Sequence, residues 1–385
     1  MTVPEIDLAD PALLSDPFTV YGRVREASPL ASIPIPGIGA MWALTRHDNA
    51  RAMLADPRFE INAASFLRPE VPEDCLPYMR TMSEMDGPDH ARLRKLVAPA
   101  FTPRRAERFR PRIQPLVDAL LDDLPAGDVD LLEHFARPLP IDVICELVGI
   151  PRADRPGWRE SGGTVARGSG PDFAAAIPVI IAGAKDAVAR HRADPGDDLL
   201  DDLIRVQAED GDRLSDTELV TLVWHLVIAG QTPANLIANA VALLLAEPRH
   251  VAAFHAAPGR AVEELIRWCG PAMMSIPRYA REDVELCGAR VRKGEPVTAV
   301  VASVNRDPRA FTDPDELDLG RSAAPSGHLG FGHGPHFCLG ASLARVQTEV
   351  ALITLLRRFP GLSLVDAERA PDPGTWRLAT LRVTR

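Results

Sequence analysis

Apolar positions along the chain recur mostly at helical spacing, and one long run dominates. It opens at Ser215-Asp216-Thr217-Glu218, where Ser followed three residues later by Glu is a capping box and the acidic side chains suit the positive end of the helix dipole. Leu219, Val220, Leu222, Val223, Leu226, Val227 and Ile228 leave almost no polar face, so the helix is expected to be buried on most sides. It runs to Ala246, where Glu247-Pro248 ends it. The span 215–246 is roughly 48 Å long at about 1.5 Å per residue, enough to cross a whole domain. Shorter patterns predict helices at 43–55, 90–98, 104–124, 139–148, 172–192, 258–269 and 340–358. The β-rich stretches 284–291 and 296–303 flank Arg292-Lys293-Gly294-Glu295, which reads as a hairpin. The class is mainly α with a minor β part. No repeat, low-complexity tract or long linker divides the chain, so 1–385 is read as one large domain.

Charge narrows the function. Of the 385 residues, 53 are acidic and 43 basic, a net charge of −10. That argues against nucleic acid as the main partner, because phosphate binding wants a basic surface. Lys95, Lys185 and Lys293 are the only lysines; this reads as the coding bias of a high-GC bacterium and carries no mechanism. Five cysteines, an odd number with no CxxC pair, suit reduced thiols in a cytosol. The N-terminus has neither a basic n-region nor an apolar stretch, so no signal peptide is expected. Apolar runs such as 219–229 contain Thr221, Trp224 and His225 and fall short of a membrane span. The expectation is a soluble cytoplasmic protein with no membrane contact.

Chemistry concentrates in Gly327–Gly340. Gly330, Gly332, Gly334, Pro335 and Gly340 make a tight loop. A helical pattern (Ala341, Leu343, Ala344, Val346, Val350) follows at once. Cys338 therefore stands near a helix start, where backbone N–H groups and the dipole lower a thiol pKa. Three readings stay open on the residues alone: a structural cysteine, a zinc-type cluster of His333, His336 and Cys338, and a thiolate on haem iron.

Other motifs are weaker singly. Glu264 and Arg267 stand at i, i+3, where an exposed pair contributes a few tenths of a kcal/mol. In Asp86-Gly87-Pro88-Asp89-His90-Ala91-Arg92-Leu93-Arg94, His90 and Arg94 share a helix face and can hold a carboxylate. In Val227–Asn235, Pro233 has no N–H, so the carbonyl of Ala229 loses its helical partner. The helix should open there and let Thr232 turn its hydroxyl into the gap. Arg104, Arg105, Arg108, Arg110 and Arg112 form either a solvated face or a docking patch for an acidic partner.

Phe331-x-x-Gly334-x-His336-x-Cys338-x-Gly340 resembles the cysteine-loop signature of the cytochrome P-450 family at every fixed position. The other three motifs lie in family order, so the resemblance covers nearly the whole chain. It implies the P-450 fold, with haem b between the long helix and the Cys338 loop. It makes Cys338 the axial iron ligand, places Phe331 and Gly332 in the haem-binding loop, and gives the propionates to His90, Arg94, Arg278 and His336. Glu264 and Arg267 become a buried structural pair. Ala229, Gly230 and Thr232 become the dioxygen groove, with Thr232 ordering oxygen and the proton-delivering water.

The sequence departs from the family by Gln231 in place of an acid and Pro233 in place of a hydroxyl residue. An amide cannot titrate near neutral pH, so Gln231 is expected to modify the usual relay. The implied activity is monooxygenation of an apolar or amphipathic small molecule, as in a secondary-metabolite tailoring hydroxylase or epoxidase. Oxidative coupling, a haem sensor, and a zinc or thiol hydrolase are the rivals. With no flavin domain, the implied partner is a ferredoxin-type donor with a separate reductase, acting on a monomer. The substrate pocket is expected from parts of 60–84, 165–185, the long helix and Met273–Ile276. Cys145, Cys269 and Cys287 are read as small core residues, and Cys75 as part of a mobile region.

Overall fold

The computed structural model describes residues 3–35, 39–66, 70–166, 171–209, 213–322, 324 and 327–385, and of 165–166 and 171–173 the backbone alone. The structure is mainly helical with a minor β part, as the apolar spacing predicts. Its contacts gather into two compact units interleaved along the sequence.

The first unit comprises 1–66, 238–339 and 366–381. Its sheet has five strands in the order Leu30–Ile35, Gly39–Leu44, Pro296–Ala299, Arg278–Ala280 and Phe59–Glu60. The first two pair antiparallel, with Leu30 opposite Leu44. The second pairs parallel with the third, Trp42 opposite Val297. One core cluster joins Leu44, Met53, Leu54, Phe59, Val297 and Leu329. That cluster holds the stretch before the Cys338 loop. The helix Pro258–Cys269 carries Glu264 and Arg267 on its buried face.

The second unit comprises 67–237, 340–365 and 382–385. It contains the helices Gly87–Val97, Pro103–Asp122, Pro138–Val148, Arg155–Ala166, Pro171–Ala193, Leu199–Glu209, Asp216–Ala229 and Ala341–Arg358. The helices Pro103–Asp122 and Ala341–Arg358 are tied by Arg110 to Glu349 at 3.2 Å and Gln114 to Thr354 at 3.1 Å.

The long helix is confirmed and interrupted. Both halves of the capping box at Ser215 and Glu218 form. The chain leaves the helix after Ala229 and resumes it at Pro233–Ala246. Against the expectation that no run is long enough, the 31 residues Asp216–Ala246 pass for a membrane span by length and hydropathy, but 67% of the apolar window is buried inside the protein. The apolar sides serve the core.

The hairpin prediction needs correction. Val284–Leu286 pairs with Ala289–Val291 instead, around Cys287-Gly288. Both turn residues have positive φ, 52° and 80°, the geometry that closes a two-residue hairpin. Pro296–Ala299 crosses to the five-stranded sheet. The helices Pro17–Ala27, Arg155–Ala166, Leu199–Glu209 and Pro248–Ala256 and the strands Leu30–Ile35 and Gly39–Leu44 were not predicted. Polar residues and glycines obscure the period in Arg155–Ala166, where tertiary packing supplies what propensity does not; Leu199–Glu209 carries an apolar face, with Leu199, Leu200 and Leu203 buried, that the sequence does show.

Candidate functional site

Residues Leu329–Gly340 form the expected loop. Gly332 and Gly334 have φ of +70° and +74°, and Gly334–His336 makes one short 3-10 turn. The amide of Cys338 donates to the carbonyl of Phe331 at 2.8 Å and closes the loop. Phe331 lies edge-on to Phe337 with centroids 6.2 Å apart. Cys338 stands just before Gly340, the N-cap of Ala341–Arg358. It is exposed, whereas Cys75, Cys145 and Cys269 are buried and Cys287 is half-buried. Burial pushes the Cys145 and Cys269 thiols up to about 12. Cys75, expected in a mobile region, is 4% exposed.

Two glycines explain why the loop sits where it does. A Cβ on Gly334 would stand 2.5 Å from the carbonyl oxygen of Leu54 and 3.1 Å from Cα of Ala55. A Cβ on Gly330 would stand 2.8 Å from Cγ2 of Ile266. Gly334→Ala combines a backbone clash with an unfavourable φ, so it should lower stability by about 1–3 kcal/mol. Urea unfolding of the two proteins side by side checks this; equal midpoints would contradict the fit.

The loop leans on a buried ionic knot. Glu264 and Arg267 are 2% and 4% exposed. Arg267 Nε and Nη2 each meet a Glu264 oxygen at 2.7 Å. The remaining Arg267 donors reach the carbonyls of Asn305, Pro314 and Glu316. Asn305 Oδ1 accepts from the amide of Leu329 at 2.7 Å, at the entrance to the loop. The pair is therefore structural, as the resemblance implies.

A basic neighbourhood surrounds His333. Its pKa is lowered, first by burial and then by Arg51, His47 and Arg278. Arg278 is 4% exposed on the strand Arg278–Ala280, and His47 reaches the carbonyl of Gly327 at 2.9 Å. The sequence reading names Arg278 and His336 but misses Arg51 and His47, which nothing local to them signals. His90 is buried and Arg94 half-buried on the helix Gly87–Val97, one turn apart. His333, His336 and Cys338 do not form a ligand cluster: among the described residues the one His/Cys/Asp/Glu trio within 4.8 Å is His191, Asp198 and Asp201. The zinc reading of the loop falls on that point.

The helix break behaves as Pro233 dictates. Thr232 Oγ1 donates to the orphaned carbonyl of Ala229 at 3.3 Å. Gly230 caps the preceding helix, and the amide of Gln231 turns back to Ile228 at 3.3 Å. His225, Ile228 and Ala229 are half-buried or exposed and form one stripe at helical spacing, followed by the exposed Thr232 in the break.

Gln231 does not share the stripe. It is 8% exposed, and its amide sits 2.7 Å from where a Cβ on Gly162 would be. The side chain is packed against the helix Arg155–Ala166.

Of the five clustered arginines, Arg110 pairs with Glu107 and Glu349, and Arg112 with Glu146. Arg104, Arg105 and Arg108 remain on the exposed side of their helix. Within the expected pocket segments, 67–69 and 167–170 lie outside the described residues.

The family model described as Cytochrome P450 matches residues 259–379. The chain is 38% identical over 397 residues to cytochrome P450 107B1 of Saccharopolyspora erythraea, covering 98% of this chain and 96% of that protein. It is 39% identical over 354 residues to the mycinamicin IV hydroxylase/epoxidase of Micromonospora griseorubida, covering 89% and 88%. Among solved structures it resembles the cytochrome P450 enzyme CxnD for C–S bond formation in chuangxinmycin biosynthesis, with a TM-score of 0.86, 34% identity, and 99% and 97% coverage.

Proposed function

The chain belongs to the cytochrome P450 family and is a haem-iron monooxygenase, and from that premise we propose a tailoring enzyme that inserts one atom of O2 into an amphipathic small molecule, with Cys338 as the iron ligand. The observation that carries the assignment is that Cys338 is the exposed thiol of the five, set on a loop closed by its own amide.

The donors of the unit that carries the loop suit haem b: a thiol is present for the iron, and Arg278 and His336 offer guanidinium and imidazole donors to its carboxylates. The family resemblance adds His90 and Arg94 to the same role. The positive surroundings of His333 suit the same charge. When bound, haem with a thiolate ligand supplies the O–O cleavage that oxidises an unactivated C–H bond or an alkene.

The protein's own part is positioning and proton supply. Thr232 holds a proton at Oγ1, on the carbonyl that Pro233 frees. Gln231 keeps the break packed against Gly162, so the proton path runs through Thr232 and water without an acid at position 231. Substrate rests on His225, Ile228, Ala229 and Thr232, whose mixed character suits an amphipathic molecule. Arg104, Arg105 and Arg108 receive an acidic ferredoxin-type donor served by a separate reductase.

We read residues 1–385 as a single family domain, acting as a cytoplasmic monomer. The near-complete overlap with relatives supports the single domain, and five cysteines without a disulfide support the reducing compartment.

A second reading has one specific support, the likeness to an enzyme for C–S bond formation. Turnover under 18O2 separates the two. Insertion places one labelled atom in each product molecule; coupling gives a product that carries none, which would overturn the first reading.

A further inference from the structure

The helix Pro171–Ala193 is followed by a short connection and the helix Leu199–Glu209. At this junction one ligand atom each from His191, Asp198 and Asp201 lie within 4.8 Å of one another. His191 and Asp201 are 8% and 4% exposed. The arginines that flank His191 are turned elsewhere, Arg190 to Asp154 and Arg192 to Asp216. The charges acting on Asp198 come from His191 and Asp201. One buried and one half-buried carboxylate with one imidazole leave net negative charge at the junction, which is unfavourable away from water unless a positive charge stands with it.

The hydrogen bonds fix where the missing positive charge belongs. His191 Nδ1 lies 2.8 Å from the carbonyl of Ala187. A carbonyl only accepts, so Nδ1 carries the proton, and in that tautomer Nε2 presents its lone pair. That lone pair faces Asp198 Oδ2 at 3.0 Å. Two lone pairs at this distance repel unless a proton or a cation stands with them. The other oxygens are accounted for unequally. Asp198 Oδ1 accepts from the amides of Leu200 and Asp201, and Asp201 Oδ2 from the amide of Asp198. Asp201 Oδ1 is buried with no hydrogen-bond partner.

A proton between Nε2 and Asp198 would settle that contact and leave Asp201 Oδ1 bare. A divalent cation settles both and cancels both carboxylate charges. An imidazole that donates its other N–H to a backbone carbonyl is the usual arrangement of a metal-bound histidine. Ligands bound at about 2.1 Å stand roughly 3.0–3.4 Å apart around an ion, close to the observed 3.0 Å. Gly149 keeps the ground clear: with φ of +94°, a Cβ there would stand 1.8 Å from Asp198 Oδ2 and 2.5 Å from His191 Nε2.

The geometry points to a structural site for a first-row divalent cation of the Zn2+ type, bound by His191 Nε2, Asp198 Oδ2 and Asp201 Oδ1. One imidazole and two carboxylates suit such an ion better than Ca2+ or Mg2+, which prefer all-oxygen shells. The ion staples the end of one helix to the start of the next. It takes no part in the oxidation, and its presence or absence is independent of the haem.

The test uses the haem-loaded protein, stripped with EDTA and then dialysed against ZnCl2. Wild type is expected to retain one Zn2+ per chain. X-ray absorption at the zinc edge should show nitrogen and oxygen neighbours, including an imidazole, and no sulfur. Asp201→Asn keeps the shape and should weaken retention by at least about tenfold. Zinc should raise the melting temperature of wild type and leave that of the variant unmoved. The proposal is overturned if folded wild type retains no zinc, if sulfur appears in the shell, or if Asp201→Asn retains zinc equally well. Should the variant not fold, the wild-type spectrum alone decides. Intact haem spectra beside a negative zinc result would leave the monooxygenase reading standing.

Discussion

Cys338→Ala is expected to remove the red-shifted absorbance band of the reduced, carbon-monoxide-bound protein and to bring turnover to background, while the chain stays folded. The first half follows from ligation: alanine offers no atom to iron, and no other exposed thiol is present to replace it. The second half follows from the loop. The bond that closes it runs from the backbone amide of residue 338 to the carbonyl of Phe331, which alanine keeps. Cys338 is exposed, and exposed substitutions away from special backbone features usually change stability by no more than about 0.5 kcal/mol. Absorbance, circular dichroism and product formation are measured on the same preparation. A normal thiolate-type band in the alanine variant would end the assignment of Cys338. A wild-type protein that takes up no porphyrin would count against the haem-binding residues as a set.

What could be read from the sequence was what short-range physics decides. The capping box at Ser215, the break forced by Pro233 and the glycine loop before Ala341 each rest on a few neighbouring residues, and each stands where expected. Cys287 shows the opposite case. A non-glycine residue at φ of +52° has no sequence signal, so the real hairpin was hidden behind the better-looking Lys293-Gly294. Gln231 is a different case. Its direction is set by the space Gly162 leaves, and no local pattern records a contact across that separation. The arginine run was overcounted because Glu146 and Glu349, remote in sequence, neutralise Arg112 and Arg110. The basic ring around His333 draws on His47 and Arg51 of one helix and Arg278 of a strand, two segments that only the folded chain brings together.

Glu264→Gln should be the most destabilising of the conservative changes, by about 3–5 kcal/mol, because breaking a buried pair strands charge in the interior. The asymmetry of the knot sharpens this. Glu264 receives Arg267 at 2.7 Å and Arg321 at 3.1 Å, and also accepts the amide of Asp318. Losing the carboxylate therefore leaves two guanidiniums unmatched, with side chains only 2% and 16% exposed. Arg267→Lys loses the planar fork that reaches Glu264 and three carbonyls at once, but it keeps a positive charge, so its cost should be smaller. Glu264→Leu combined with Arg267→Met removes both charges and should be less damaging than Glu264→Gln alone. Urea unfolding of the three variants gives the order. If Glu264→Gln lay within about 1 kcal/mol of wild type, the knot would be no stronger than an exposed pair. Haem retention should fall in the same order as stability. Gly330 packs on Ile266 of the Glu264 helix, and Leu329 hangs from Asn305, whose carbonyl Arg267 holds. Loosening the knot thus loosens the loop that aims Cys338.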